Sequence, residues 1–244
     1  MKNNWTSYGA SVIGPSHVKF KIPNQDFWIS KHYSWGHIVV VSDGLGSHEK
    51  SDIGSRAACN AVVKASKIYL KHQSSSLENL LRLVHSIWLM ELDAYKPQIC
   101  SATCLFVLIT KDKCIAAQLG DGAIIALANN ETDSFIMDDE KEDSFSNITK
   151  SLYSNFNFKH WKIKEIDITK YKAFILLTDG ISDDIIKENQ LNFANELITS
   201  YKEYSHSKAI NEIKNWMINW PVPHHSDDKT IACLYKKDIY AGNK

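Results

Sequence analysis

Net charge is the first thing this sequence lacks. Across 244 residues, 28 Lys and Arg balance 28 Asp and Glu. No strong field is available to draw in nucleic acid or an acidic membrane, and no basic stripe interleaved with aromatics stands out. Cysteine pairs are missing too. Cys59, Cys100, Cys104, Cys114 and Cys233 are odd in number, none falls in a C-x-x-C pair, and four sit among apolar residues. The expectation is buried free thiols in a reducing compartment. No apolar run approaches the ~20 residues that cross a bilayer. The opening Met1-Lys2-Asn3-Asn4-Trp5 has no apolar signal core. A soluble, cytoplasmic protein without nucleic-acid or membrane partners is expected. Internal repeats and low-complexity tracts are absent. The 44% hydrophobic and 23% charged residues fit one domain over 1–244 with a substantial core.

What is present is a set of short acidic segments spread along the chain. They are Asn24-Gln25-Asp26, Ser42-Asp43-Gly44-Leu45-Gly46, Thr178-Asp179-Gly180-Ile181-Ser182-Asp183 and Ser226-Asp227-Asp228-Lys229-Thr230. Two of them follow runs of strand formers, His37 to Val41 and Ala173 to Leu177. A strand ending in Asp-Gly delivers a carboxylate at a fixed place, and the Gly lets the backbone turn sharply beside a ligand. Several such carboxylates converging at one end of a sheet form a hard, oxygen-rich site for divalent ions. The chemistry indicated is metal-assisted hydrolysis.

The pattern predicts strands at 8–13, from about 26 through 29, and at 38–42. Helices follow at 51–71, where Ile53, Ala57, Ala61, Ala65 and Ile68 recur at helical spacing, and at 77–95, capped by Ser75 or Ser76. A meander of strands is predicted at 102–110, 114–119 and 123–128, turning at 111–113 and at Gly120-Asp121-Gly122. Residues 129–162, with the acidic run 138–143, read as a flap-like surface excursion. That run lacks the spaced ligands and central Gly of a calcium loop. Strands at 163–168 and 172–178, helical stretches over about 189–219 and a last strand at 229–235 complete the reading. This is an α+β fold of consecutive, antiparallel strands in two sheets with helices packed outside.

Five motifs in order, Asn24-Gln25-Asp26, Ser42-Asp43-Gly44-Leu45-Gly46, Leu119-Gly120-Asp121-Gly122, Leu177-Thr178-Asp179-Gly180 and Asp227-Asp228-Lys229-Thr230, resemble those of the metal-dependent protein phosphatases of type 2C, in a compact bacterial branch. The resemblance covers about residues 8 to 235. It implies a four-layer α-β-β-α sandwich with two Mn²⁺ or Mg²⁺ ions at one end, hydrolysing phosphoserine and phosphothreonine by a metal-bound hydroxide. Carried over, Asp43 bridges the ions and the Gly44 carbonyl completes one of them. Asp179 and Asp227 ligate the other, Asp121 and Asp183 hold a third ion with Asp179, and Asp26 orients water. The chemistry agrees independently: two ions about 3.5–4 Å apart neutralise a phosphomonoester dianion and acidify water, so no Cys nucleophile is needed.

Three positions depart from the family pattern. Gln25 stands where a Glu is usual, offering an amide oxygen without charge as a metal ligand. Leu45 stands where many members carry a His, leaving water or His48 as general acid. No Arg precedes the first motif, so His17, Lys19 or Lys21 would supply the phosphate-binding charge, none with a bidentate fork. Asp228 competes with Asp227 as ligand. Asp121 also reads as a turn residue and Asp183 as a helix cap. His224 and His225 read as solvated loop histidines rather than zinc ligands. Trp88, Trp216 and Trp220 read as packing residues. The alternative function is a weakened member that binds a phosphorylated partner without turnover; a hydrolase of small phosphate esters is a third. The branch also suggests a serine/threonine kinase and a von Willebrand A-type protein as partners.

Overall fold

The computed structural model describes residues 4–72, 76–111, 113–138 and 150–237. Two five-stranded sheets lie face to face. The first has the order β1 (Trp5–Val12), β10 (Lys229–Lys236), β9 (Tyr171–Leu177), β6 (Ala123–Ala128) and β7 (Phe135–Asp138). The second has the order β2 (Phe27–Tyr33), β3 (Gly36–Ser42), β4 (Cys104–Thr110), β5 (Cys114–Leu119) and β8 (Lys162–Ile166). Every pairing between neighbouring strands is antiparallel.

Strand alternation builds three hydrophobic layers from this arrangement. Val39 and Val41 of β3 face Phe174 and Leu176 of β9 in the layer between the sheets. Ile38 and Val40, the alternate residues of β3, face outward onto α2 (Ser51–Tyr69) and α3 (Leu77–Glu91). On the other outer face, Ile175 and Leu177 of β9 pack against α5 (Gln190–Tyr201) and α6 (His206–Ile218). β3, β4, β5 and β6 are apolar on both faces because each face is covered, and they read as continuous hydrophobic runs. The four-layer expectation therefore holds, and all five cysteines are buried free thiols.

The predicted elements survive with shifted ends. The strand at 8–13 is Trp5–Val12, and the helix at 77–95 stops at Glu91. Ser76 caps α3, its Oγ accepting from the Asn79 N–H at 3.3 Å; Ser75 lies outside the described residues. Two elements were not expected. Pro15–Phe20 forms a short helix, α1. Inside the expected surface excursion, Phe135–Asp138 joins the first sheet as an edge strand, Met137 is buried, and Leu152 and Trp161 pack into the layer under α3. The excursion thus contributes to the core on both sides of residues 139–149, which lie outside the described part and include most of the acidic run.

Candidate metal centre

All the acidic segments emerge at one end of the sandwich, and strand register is the reason. Phe27 pairs with Ser42, so Asp26 entering β2 lies beside Asp43 leaving β3. Leu177 pairs with both Ala123 and Ile231, which sets Asp179 beside the Gly120–Gly122 turn and the start of β10. Gly120 and Gly122 have φ of +90° and +92°, a region open to glycine, and so allow the tight turn that presents Asp121. Gln118 holds that turn: its Nε2 donates to the carbonyls of Gly120 (3.0 Å) and Gly122 (3.1 Å).

Polar neighbours fix the Asp26 carboxylate and the Asp43 backbone. Thr178 Oγ1 donates to Asp26 Oδ2 at 2.8 Å and accepts from the Thr230 N–H at 3.0 Å, tying the two sheets together at the site. The Asp43 N–H donates to Thr103 Oγ1 at 2.9 Å, and the Thr103 N–H donates back to the Asp43 carbonyl at 2.7 Å. Asp179 opens the four-residue helix α4 (Asp179–Ser182). Gly180 is required there, since a Cβ would stand 2.0 Å from the Asp228 carbonyl oxygen.

Asp227 and Asp228 divide their work clearly. Asp228 is buried, and its carboxylate accepts from the Gly14 N–H (2.7 Å), the Gln25 N–H (2.6 Å) and His17 Nδ1 (2.9 Å). Both of its oxygens are occupied in knitting β1, α1 and the Gln25 loop to β10. Asp227 is exposed towards the cavity and accepts only from the Asp228 N–H among the described bonds. Asp227 is therefore the one available as a ligand. His17 Nδ1 lies within 4.8 Å of ligand oxygens of both aspartates, which puts it at the rim of the site. Lys21 sits exposed at the C-terminal cap of α1, in the left-handed region at φ 57°. His48 is held elsewhere, its Nδ1 donating to the Gln98 carbonyl; a neutral ring so bonded carries no proton on Nε2, so only its imidazolium can act as an acid. His224 is exposed at φ 62°, and the His225 ring pairs with Lys229.

The crowding of negative charge shows in the acidities. Burial first, and then the Asp228 charge, push Asp26 up from 3.8 to about 7 against the pull of hydrogen bonds from Asp43 and Thr178. Burial, then Asp227, Asp26, Asp121 and Asp183, raise Asp179 to about 7. Burial and the charges of Asp26, Asp179 and Asp227 hold Asp43 well above the usual carboxylate range. The Gln25 side chain is buried, and its Oε1 has no hydrogen-bond partner among the described residues. A crowd of hard oxygens with an orphaned amide oxygen beside it fits divalent cations: positive charge would satisfy the amide and relieve the repulsion.

Three supporting residues escaped sequence reasoning as roles, though two stand inside quoted motifs. Thr103 and Thr178 are polar residues at the edges of apolar runs, which is the available signal. Lys229 is 1% exposed, with Nζ 3.1 Å from His225 Nδ1 and 3.3 Å from the Asp227 carbonyl. Burial lowers its pKa.

Two antiparallel sheets flanked by helices, with acidic loops gathered at one end, define a metal-dependent hydrolase of the sandwich type. A family model described as protein phosphatase 2C matches residues 13–217. The chain belongs to the protein phosphatase 2C family and is by class a metal-dependent serine/threonine protein phosphatase. No curated protein sequence matches it. Among solved structures it is similar in fold to a bacterial serine phosphatase (TM-score 0.61, 16% identity, 94% of this chain and 97% of that one). The catalytic domain of the serine/threonine protein phosphatase PstP in complex with two manganese ions is similar too (0.60, 14%, 95% and 97%). So is RsbX in complex with magnesium (0.57, 15%, 96% and 96%).

Proposed function

We propose that Asp43, the Gly44 carbonyl, Asp179 and Asp227 would hold two Mn²⁺ or Mg²⁺ ions in this phosphatase. The observation that carries the reading is that carboxylates from four distant segments meet where burial and mutual repulsion hold Asp26, Asp43 and Asp179 above the usual carboxylate range. Asp121 and Asp183 would hold a third ion with Asp179, and Gln25 Oε1, buried without a partner among the described residues, would add a neutral oxygen. When bound, the ions supply the charge that neutralises a phosphomonoester dianion and the acidity that makes water a nucleophile near neutral pH. Asp26, locked by Thr178, accepts a hydrogen bond from the attacking water and orients it. His17, its Nδ1 held by Asp228 at the rim, offers an Nε2–H to the phosphoryl oxygens as the imidazolium; Lys21 is the alternative. The leaving oxygen takes its proton from water or from the imidazolium of His48.

Among the described residues no helix is long and apolar enough to cross a membrane. The family resemblance supports a cytoplasmic signalling role, reversing the action of a serine/threonine kinase in company with a von Willebrand A-type protein. Hydrolysis of a phosphothreonine peptide, titrated with Mn²⁺ and repeated with Asp43→Ala, tests the core of this reading. Phosphate release that follows Mn²⁺ and vanishes in the variant is expected. Folded protein releasing no phosphate at any Mn²⁺ or Mg²⁺ concentration would leave a phospho-binding module instead.

A further inference from the structure

Beside the carboxylate cluster lies a groove of about 420 Å³ with apolar walls. Val12 and Ile13 at the end of β1, Pro15 and Val18 of α1, and Met217 and Ile218 at the end of α6 form them. Ile13, Val18 and Ile218 are 40%, 59% and 64% exposed. Scattered apolar side chains on a surface are ordinary, but three converging on one groove mark a binding surface. The acidic cavity next to it, about 210 Å³, is lined by Asp179, Asp183 and Asp184 among others. His225, Asp227 and Lys229 line both spaces, so the two are continuous.

We propose that this groove receives an apolar side chain of the phosphoprotein substrate, close in sequence to the phosphorylated serine or threonine, and selects substrates by it. The inference rests on the neighbouring cavity being the phosphatase centre. Continuity argues for this occupant. A peptide whose phosphoryl group is held at Asp227 advances ~3.3–3.6 Å per residue, which brings a residue one to three positions away over the apolar walls. Volume agrees, because 420 Å³ lies in the lower range of small-ligand sites and suits one large aliphatic or aromatic side chain. Charge agrees as well: Lys19 on the groove wall favours a peptide that carries a dianion. Sequence departures fit the same picture. The chain has no Arg before its first motif, and a specificity contact beyond the phosphate would recover part of the binding lost with that fork.

The test compares kcat/KM, with Mn²⁺ present, for phosphothreonine peptides that differ only in Leu or Ser at one position within three residues of the phosphothreonine. At one position Leu should raise kcat/KM by roughly tenfold or more. Val18→Asp and Ile218→Asp should each bring that Leu/Ser ratio towards one; both sites are exposed, and thermal melts verify the fold. Equal rates at every position, or a preference that survives both substitutions, overturn the proposal. A mass that doubles in sedimentation and reverts in Ile218→Asp, without any Leu preference, would give the groove to a second copy and overturn it too. If no peptide is hydrolysed, the phosphatase reading falls separately. The same Leu/Ser comparison, read as fluorescence anisotropy of labelled peptides, then still decides the groove.

Discussion

At the scale of residues, the acidic side chains of the candidate centre depend on polar neighbours that hold them. Thr178 is the clearest holder. Its hydroxyl bonds Asp26 and receives the Thr230 N–H, so it both orients a carboxylate and favours its ionised form. Thr178→Val keeps the shape and removes both bonds. Turnover at saturating Mn²⁺ should fall by about 10–100-fold, the usual cost of losing the partner behind a group at a metal site. The fall should be larger at lower pH, because Asp26 then stays protonated longer. Phosphate release at saturating Mn²⁺ and two pH values measures this; an unchanged rate would remove Thr178 from the site. The aspartates were legible in the sequence because Asp-Gly after a strand run is a local pattern. Only the family spacing to Thr230 favours Asp227 over Asp228 in the sequence; the physical reason was not legible, because it depends on Gly14, His17 and Gln25, more than 200 residues away along the chain.

At the scale of elements, the rigidity of the site's frame comes from helices that lock onto the outer sheet faces. α3 anchors on α2 through Trp88, which is wholly buried and whose Nε1 donates to the Gly54 carbonyl at 3.0 Å. Trp88→Ala leaves a large cavity and removes the bond to the Gly54 carbonyl, and should destabilise the fold by about 3–5 kcal/mol, read from urea unfolding. A loss below about 1 kcal/mol would mean that the layer collapses around the gap. Helices and meander strands with clear periodicity were visible in the sequence, and Cys114–Leu119 and Ala123–Ala128 stand as predicted. α1 and β7 were not visible. Six residues after a Pro and four residues at a sheet edge are too short for a period to show, and both depend on what they pack against.

At the scale of the whole molecule, the site sets stability against function. Asp26 and Asp179 ionise near 3.8 when unfolded but near 7 in the metal-free fold. Between those values the folded state carries the extra protons, so its stability falls as pH rises through the window and levels off above it. His37, buried and lowered to about 4, acts in the opposite sense, with an effect that fades above its ordinary 6.5. Melting of the metal-free protein from pH 6.5 to 7.5, compared with a His37→Gln variant, therefore separates the carboxylates from it. Tm should fall over that interval, less so in Asp43→Asn. Saturating Mn²⁺ should reverse the slope, because an ion bound to ionised carboxylates binds more tightly as pH rises. A metal-free Tm that holds steady or climbs would contradict the crowded-carboxylate picture.

The sequence alone determined which residues are candidates for the chemistry and which segments become strands and long helices, since both are written in patterns a few residues long. Tertiary structure alone gave the reason that Asp227 and not Asp228 stays open to a ligand, and left Gln25 Oε1 without a partner among the described residues. It also set an apolar groove against the acidic cavity. These depend on antiparallel register and helix packing that join residues far apart in the chain, and no local pattern encodes contacts of that range.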